Sequence, residues 1–208
     1  MIAQTKLIAQ GPLVELHRRG GATLEAVDGW LIPVRYPQEP GPGGNALLDF
    51  SHWPTYEING RETGAEIQRL AGADVPVRKV HLQGSQYVYR LSAERAIIFG
   101  GPPAHENAAS PGAADVTGGW ASLSLVGPDA ERILNKVTAV DLRERTLPIG
   151  SCCQAPIFGV NTLFGRFSGR FDLHVCSDSA QFFWEVLMDA GLEFRLRPGG
   201  IDHMAALV

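Results

Sequence analysis

One motif written twice constrains this chain more than any other feature. Residues 120–142 read WASLSLVGPDAERILNKVTAVDL. From Trp120 to Val126 two residue sets alternate, the period of two that predicts a half-buried strand. Gly127-Pro128-Asp129 breaks it. Pro128 and Asp129 suit a first helical turn, where a missing N–H costs nothing and negative charge meets the positive helix end. Ala130, Ile133, Leu134, Val137 and Val140 follow at helical spacing, predicting a helix with one apolar face. A shift of 67 positions puts Trp120 on Trp53, Gly127 on Gly60, Leu134 on Ile67, Val137 on Leu70 and Asp141 on Asp74, without a gap. With one residue of slippage, Asp115-Val116-Thr117 falls on Asp49-Phe50-Ser51 and Gly150-Ser151 on Gly84-Ser85. An ungapped match across strand, turn and helix reads as an internal duplication.

Each copy continues into further elements. In the first, a strand at Thr55–Asn59 and a helix over 61–71 precede strands at 87–91 and 96–99, joined by a turn at Ser92-Ala93-Glu94-Arg95. In the second, 156–167 and 171–175 are strand-like, 179–190 is helical with Gly191 as its stop, 193–197 reads as a last strand, and a short tail helix follows. Ahead of both lie an N-terminal arm over 1–19, with a short helix interrupted at Gly11-Pro12, and strands over 22–36 that turn at Gly29. Residues 37–44 and 100–113 are a loop and a linker by their Gly and Pro content. The expected class is α+β, with mixed or antiparallel sheets built from pseudo-repeats at 47–99 and 115–208.

Composition removes several function classes. A net charge of -4 without a basic cluster argues against nucleic acid as partner. No run approaches the roughly 18 apolar residues of a membrane span, and the N-terminus is too polar for a secretory signal. Cys152, Cys153 and Cys176 are odd in number and lack metal spacing, which predicts free thiols in a reducing cytoplasm. The histidines are dispersed, with no pair at helical ligand spacing, so no metal is expected. The Gly-rich spots lack nucleotide-loop patterns, and there is no Gly-x-Ser-x-Gly elbow.

Two sets of residues remain. His52, three residues after Asp49, is a general base oriented by a carboxylate, or a turn cap beside a buried Trp53. Trp30, Tyr36, Trp53, Tyr87 and Tyr89 suit the lining of a cavity for a flat heterocycle such as a pterin, or are simply core.

The order of these motifs resembles the folate-binding superfamily of the glycine cleavage T-protein, the aminomethyltransferases. The likeness runs through Gly21-Ala22, Asp28-Gly29-Trp30-Leu31-Ile32-Pro33-Val34-Arg35-Tyr36, Asp49-Phe50-Ser51-His52, Asn59-Gly60 to Asp74-Val75, Gly84-Ser85-Gln86-Tyr87, and Leu125-Val126-Gly127-Pro128-Asp129-Ala130. It covers residues 20–208, and the family's C-terminal barrel domain is expected to be absent. In size, and over 147–187, the chain is similar to the gamma subunit of heterotetrameric sarcosine oxidase.

The resemblance implies a T-protein-like N-terminal module, tetrahydrofolate as its cofactor, and Trp53 and Tyr87 as folate-binding residues. Two departures bear on catalysis. The family's Gly-Gly-x-x-Asp-Asp has no Asp counterpart between Tyr87 and Arg95, and its Gly-Glu pterin pair is missing from the shortened 166–172 segment. The expectation is therefore an accessory subunit or folate-type binding module of one-carbon metabolism, without autonomous catalysis. Flavin oxidase subunits or a second copy would be its partners. The alternatives are a folate-dependent aminomethyltransferase or demethylase, in which Asp49, His52 or Glu94 supplies the missing carboxylate or base, and a ligand-free homodimeric interaction protein.

Overall fold

The computed structural model describes residues 7–72, 74–101 and 112–205. Most of the expected linker and the start of the N-terminal arm therefore lie outside the described residues. The arm holds β1 (Ala9–Gln10) and α1 (Val14–Arg19). Next come β2 (Thr23–Val27) and β3 (Trp30–Arg35), a hairpin whose turn, Asp28-Gly29, has φ of 50° and 83°. Asp-Gly meets the positive φ that a two-residue hairpin turn demands. With β1 these strands form a small sheet in the order β1-β3-β2.

The first copy contains β4 (Ala46–Asp49), β5 (Thr55–Asn59), α2 (Thr63–Ala71), β6 (Lys79–Gln83), β7 (Gln86–Ser92) and β8 (Arg95–Gly100). The second contains β9 (Ala113–Asp115), β10 (Trp120–Val126), α3 (Ala130–Leu134), β11 (Cys152–Ile157), β12 (Val160–Phe167), β13 (Arg170–Cys176) and α4 (Ala180–Ala190). β14 (Arg197–Gly199) and α5 (Ile201–Ala205) close the chain. The larger sheets run β6-β7-β8-β5-β9 and β11-β12-β13-β10-β4-β14. Each copy thus lays its strands in one order, and β4 and β9 cross over so that each leading strand pairs with the other copy's sheet. Gly60 and Gly127, equivalent in the repeat, have φ of 119° and 120°. An L side chain rarely adopts this conformation, and a Cβ at Gly127 would lie 2.8 Å from Asn45 Cα.

The layers are helix, sheet, sheet, helix. On one face of the five-stranded sheet, Tyr56, Ile58, Val88 and Ile98 pack with Ile67 of α2. On its other face Tyr89, Ile97 and Phe99 meet Cys152 and Leu163 of the six-stranded sheet. The far side of that sheet is covered by α3 and α4 through Ile133, Leu134, Phe183, Trp184 and Leu187. This stacking corrects the expectation of a half-buried β10. Ser122 and Ser124 are each only 2% exposed, because their face looks into the space between the sheets. There Ser124 Oγ donates to Asp172 Oδ1 at 2.5 Å, and the His174 ring stacks on Phe99 at 3.7 Å.

Other expectations need correction. The helix expected over 130–140 ends at Leu134, yet Val137 and Leu142 are still buried, as turns rather than helix. The apolar spacing reported burial, not helix length. The strand expected over 156–167 is the β11–β12 hairpin, reversed at Phe158-Gly159 with φ of 49° and 83°. Residues 192–194 form a 3₁₀ turn rather than strand, and the last strand begins at Arg197. β4 and β6 carried no alternation that announced them.

Candidate functional site

The site begins where β4 ends. Asp49 Oδ1 accepts from the Ser51 backbone N–H at 2.8 Å and from the Ser51 hydroxyl. Ser51 Oγ in turn accepts from Ser122 N at 3.1 Å, and Phe50 N donates to Ser122 O at 2.7 Å. This anchored turn projects His52 and Trp53 away from the strand. The Trp53 ring packs against Phe50 at 4.5 Å and lies nearly parallel to Tyr87, with centroids 5.2 Å apart and planes at 12°. Tyr87 is also met by the Arg170 guanidinium, 5.3 Å from its centroid.

These groups wall a cavity of about 670 Å³, in the range of small-ligand sites. Asp28, Trp30, His52, Trp53, Tyr87 and Asp115 contribute to its lining. Burial pushes the His52 imidazole below its ordinary pKa, against the pull of Asp49 and Asp28, so it is neutral at pH 7. Two carboxylates and a neutral imidazole therefore face the cavity, and no Lys or Arg is among its described lining residues. Its field suits a neutral or cationic ring placed against these carboxylates. Trp53 and Tyr87 already engage each other, whereas Trp30 has no ring partner among the described residues. Its face is the one available for stacking.

The structure brings His52, Trp53 and Tyr87 together with Trp30, whereas Tyr36 and Tyr89 are buried away from the described lining and Asp49 and Glu94 lie elsewhere. Asp49 faces away from the cavity and is 6% exposed. Its Oδ2 accepts from His17 Nε2 at 2.8 Å, and His17 Nδ1 lies 2.5 Å from the Tyr36 hydroxyl. Burial disfavours the Asp49 charge, but hydrogen bonds from His17 and Ser51 outweigh it and hold the carboxyl below its usual range. An ionised Asp49 can only accept, so Nε2–H donates to it, and in that tautomer of the neutral imidazole Nδ1 accepts from the Tyr36 hydroxyl. Glu94 sits in the exposed β7–β8 turn, beside the Asn59 end of β5. The cavity is at the Thr55 end, about 13 Å away at ~3.3 Å per residue. No group of His, Cys, Asp and Glu among the described residues could hold a metal ion.

Two lining carboxylates escaped the sequence reading. Asp28 was marked by its Asp-Gly turn signature, which fixes a hairpin tip but not where the tip points. Asp115 was marked by the repeat itself, as the counterpart of Asp49. Nothing in the spacing shows that one aspartate is buried and the other faces a cavity.

Comparison with known proteins agrees with this architecture. An aminomethyltransferase of Desulforamulus reducens is 27% identical over 229 residues, covering 91% of this chain and 60% of that protein. One from Saccharopolyspora erythraea is 25% identical, covering 93% and 61%. The chain thus spans about three fifths of the curated relatives it matches. Among solved structures, the glycine cleavage aminomethyltransferase T of Bartonella henselae superposes with a TM-score of 0.74 at 17% identity, over 94% of this chain and 60% of that one. A chain of heterotetrameric sarcosine oxidase from Corynebacterium sp. U-96 superposes with a TM-score of 0.68 at 16% identity, over 88% of this chain and 95% of that one. No described helix is long and apolar enough to cross a membrane. The model of the GCVT N-terminal domain family matches residues 104–207, half of the chain, and the chain belongs to that family.

Proposed function

We propose that this chain is a T-protein-like module of one-carbon metabolism that holds a reduced pterin, of the tetrahydrofolate type, in the Trp30–Trp53–Tyr87 cavity. We further propose that it works as an accessory part of an amine-oxidising assembly, beside flavin-bearing subunits. The cavity is the observation that carries the first part. Its volume of about 670 Å³ admits a bicyclic ring, Trp30 offers an open aromatic face, and Asp28 and Asp115 supply acceptors for ring N–H groups. Bound there, a reduced folate would supply a one-carbon carrier. Of this chain's own residues, Trp30 would stack, the aspartates would orient the ring, and neutral His52 would accept or relay a proton. The accessory role is supported by the near end-to-end likeness to one chain of a heterotetrameric oxidase.

Titration calorimetry with tetrahydrofolate tests the binding. Saturable binding is expected, and none at millimolar ligand would overturn it. One observation favours a second reading, a folate-dependent aminomethyltransferase. The cavity holds carboxylates beside a neutral imidazole, so groups able to manage protons are in place. Methylene transfer by the isolated chain would replace the accessory reading with this one.

A further inference from the structure

The internal repeat carries a template for what the cavity binds. Asp49 and Asp115 are equivalent in the two copies, and their backbone surroundings agree, although only Ser51 adds a hydroxyl bond to its aspartate. Asp49 pairs with Leu123 across β4 and β10, and Asp115 with Tyr56 across β9 and β5. The 67-residue shift relates Tyr56 to Leu123. Asp49 Oδ1 accepts from Ser51 N at 2.8 Å, and Asp115 Oδ1 from Thr117 N at 2.9 Å. Ser51 Oγ accepts from Ser122 N at 3.1 Å, and Thr117 Oγ1 from Thr55 N at 2.9 Å. Phe50 N donates to Ser122 O at 2.7 Å, and Val116 N to Thr55 O at 2.9 Å.

The copies part at the second carboxylate oxygen. Asp49 Oδ2 accepts an N–H from the flat imidazole of His17, 2.8 Å away, whose ring lies edge-on to Trp184 at 5.1 Å. Asp115 Oδ2 has no donor among the described residues. Asp115 lines the cavity that also contains Trp30, Trp53 and Tyr87. One copy has filled this place with a nitrogen heterocycle of its own chain, and the other leaves an ionisable acceptor facing a space of ligand size.

We infer that Asp115 is the specificity anchor of the cavity: its Oδ2 accepts a ring N–H from a flat, neutral or cationic nitrogen heterocycle, as Asp49 accepts one from His17. The inference deepens the pterin reading and rests on it for the ring's identity, but not for the anchor. An anionic ring lacking a donor at that edge is rejected, because Asp28 and Asp115 are among the described lining residues and no Lys or Arg is.

The test compares the full chain with D115N and uses tryptophan fluorescence and calorimetry. The probes are 6-methyltetrahydropterin, its N3-methylated analogue, and 2-aminoimidazole. D115N keeps the acceptor for Thr117 N but turns an N–H toward the ligand's own donor. Because Asp115 is exposed, its thermal midpoint should stay at the wild-type value. Loss of a hydrogen bond to a charged acceptor predicts binding of the reduced pterin weakened about tenfold to a hundredfold. The N3-methyl analogue should bind wild type and D115N alike, and weakly. Equal affinity of both proteins for the unmethylated pterin would overturn the anchor and leave the cavity reading standing. Asp115-dependent binding of 2-aminoimidazole without pterin binding would keep the anchor and overturn the pterin. Binding of no probe by wild type would overturn both.

Discussion

Asp49→Ala removes the most connected buried carboxylate near the site, and its cost can be worked from its partners. Three donors lose their acceptor: His17 Nε2–H, the Ser51 backbone N–H and the Ser51 hydroxyl. His17 is fully buried and Ser51 is 3% exposed, so water cannot replace the carboxylate without opening the fold. Stripping one partner from such a buried cluster costs about 3–5 kcal/mol. Asp49→Asn should behave differently. The Asn carbonyl can keep both Ser51 bonds, while its amide donates to His17 Nε2. The imidazole proton then moves to Nδ1 and is donated to the Tyr36 oxygen. Each heavy-atom contact is kept, but charge assistance is lost and the Tyr36 O–H gives up its acceptor, so the cost is about 1–3 kcal/mol, still below that of Asp49→Ala.

Urea unfolding at pH 7, read by circular dichroism, measures both variants. The pH dependence supplies a sign. The folded carboxyl lies below its unfolded value, so Asp49 contributes stability above the unfolded pKa of 3.8 that is lost as pH falls through the folded pKa. The difference between wild type and Asp49→Asn should therefore shrink below about pH 4. A cost for Asp49→Ala under about 1 kcal/mol, or equal costs for the two variants, would refute the accounting.

Two further outcomes follow from packing and burial. At Gly165 a Cβ would sit 2.6 Å from the Tyr89 hydroxyl and 2.9 Å from Cζ, with Tyr89 itself fully buried, so Gly165→Ala should lower stability by about 1–3 kcal/mol in the same urea assay. Burial pushes the Cys152 thiol up to about 12, whereas Cys176 is exposed. A thiol reagent at pH 8 should label Cys176 first and Cys152 only on unfolding, and prompt labelling of Cys152 would contradict its place between the sheets.

What could be read in advance divides along a physical line. The repeat was legible because strand, turn and helix are local, and because Gly60 and Gly127 serve one backbone conformation in each copy. Trp53 and Tyr87 were legible as a pair worth attention, and the structure places both on the cavity wall. Trp30 was noted only as one aromatic among several, because its free face depends on which rings found partners elsewhere. Asp49 looked like the natural companion of His52, three residues away. In the fold it turns to His17, which lies 32 residues earlier and arrives on α1. Glu94 was close in sequence to Tyr87, but the hairpin carries it to the far end of β5.

The sequence by itself determined the strand-and-turn grammar, the duplication and the family, because each is carried by residues near one another or by residue types in a fixed order. Only the tertiary structure decided which aspartate does what. Asp49 and Asp115 have the same local turn and the same hydrogen bonds to their own backbones. They differ in what the rest of the chain brings against the second oxygen: the imidazole of His17 at one, an open cavity at the other. That difference is set by the exchange of β4 and β9 between the sheets and by the docking of α1. Both are long-range events that no window of sequence contains.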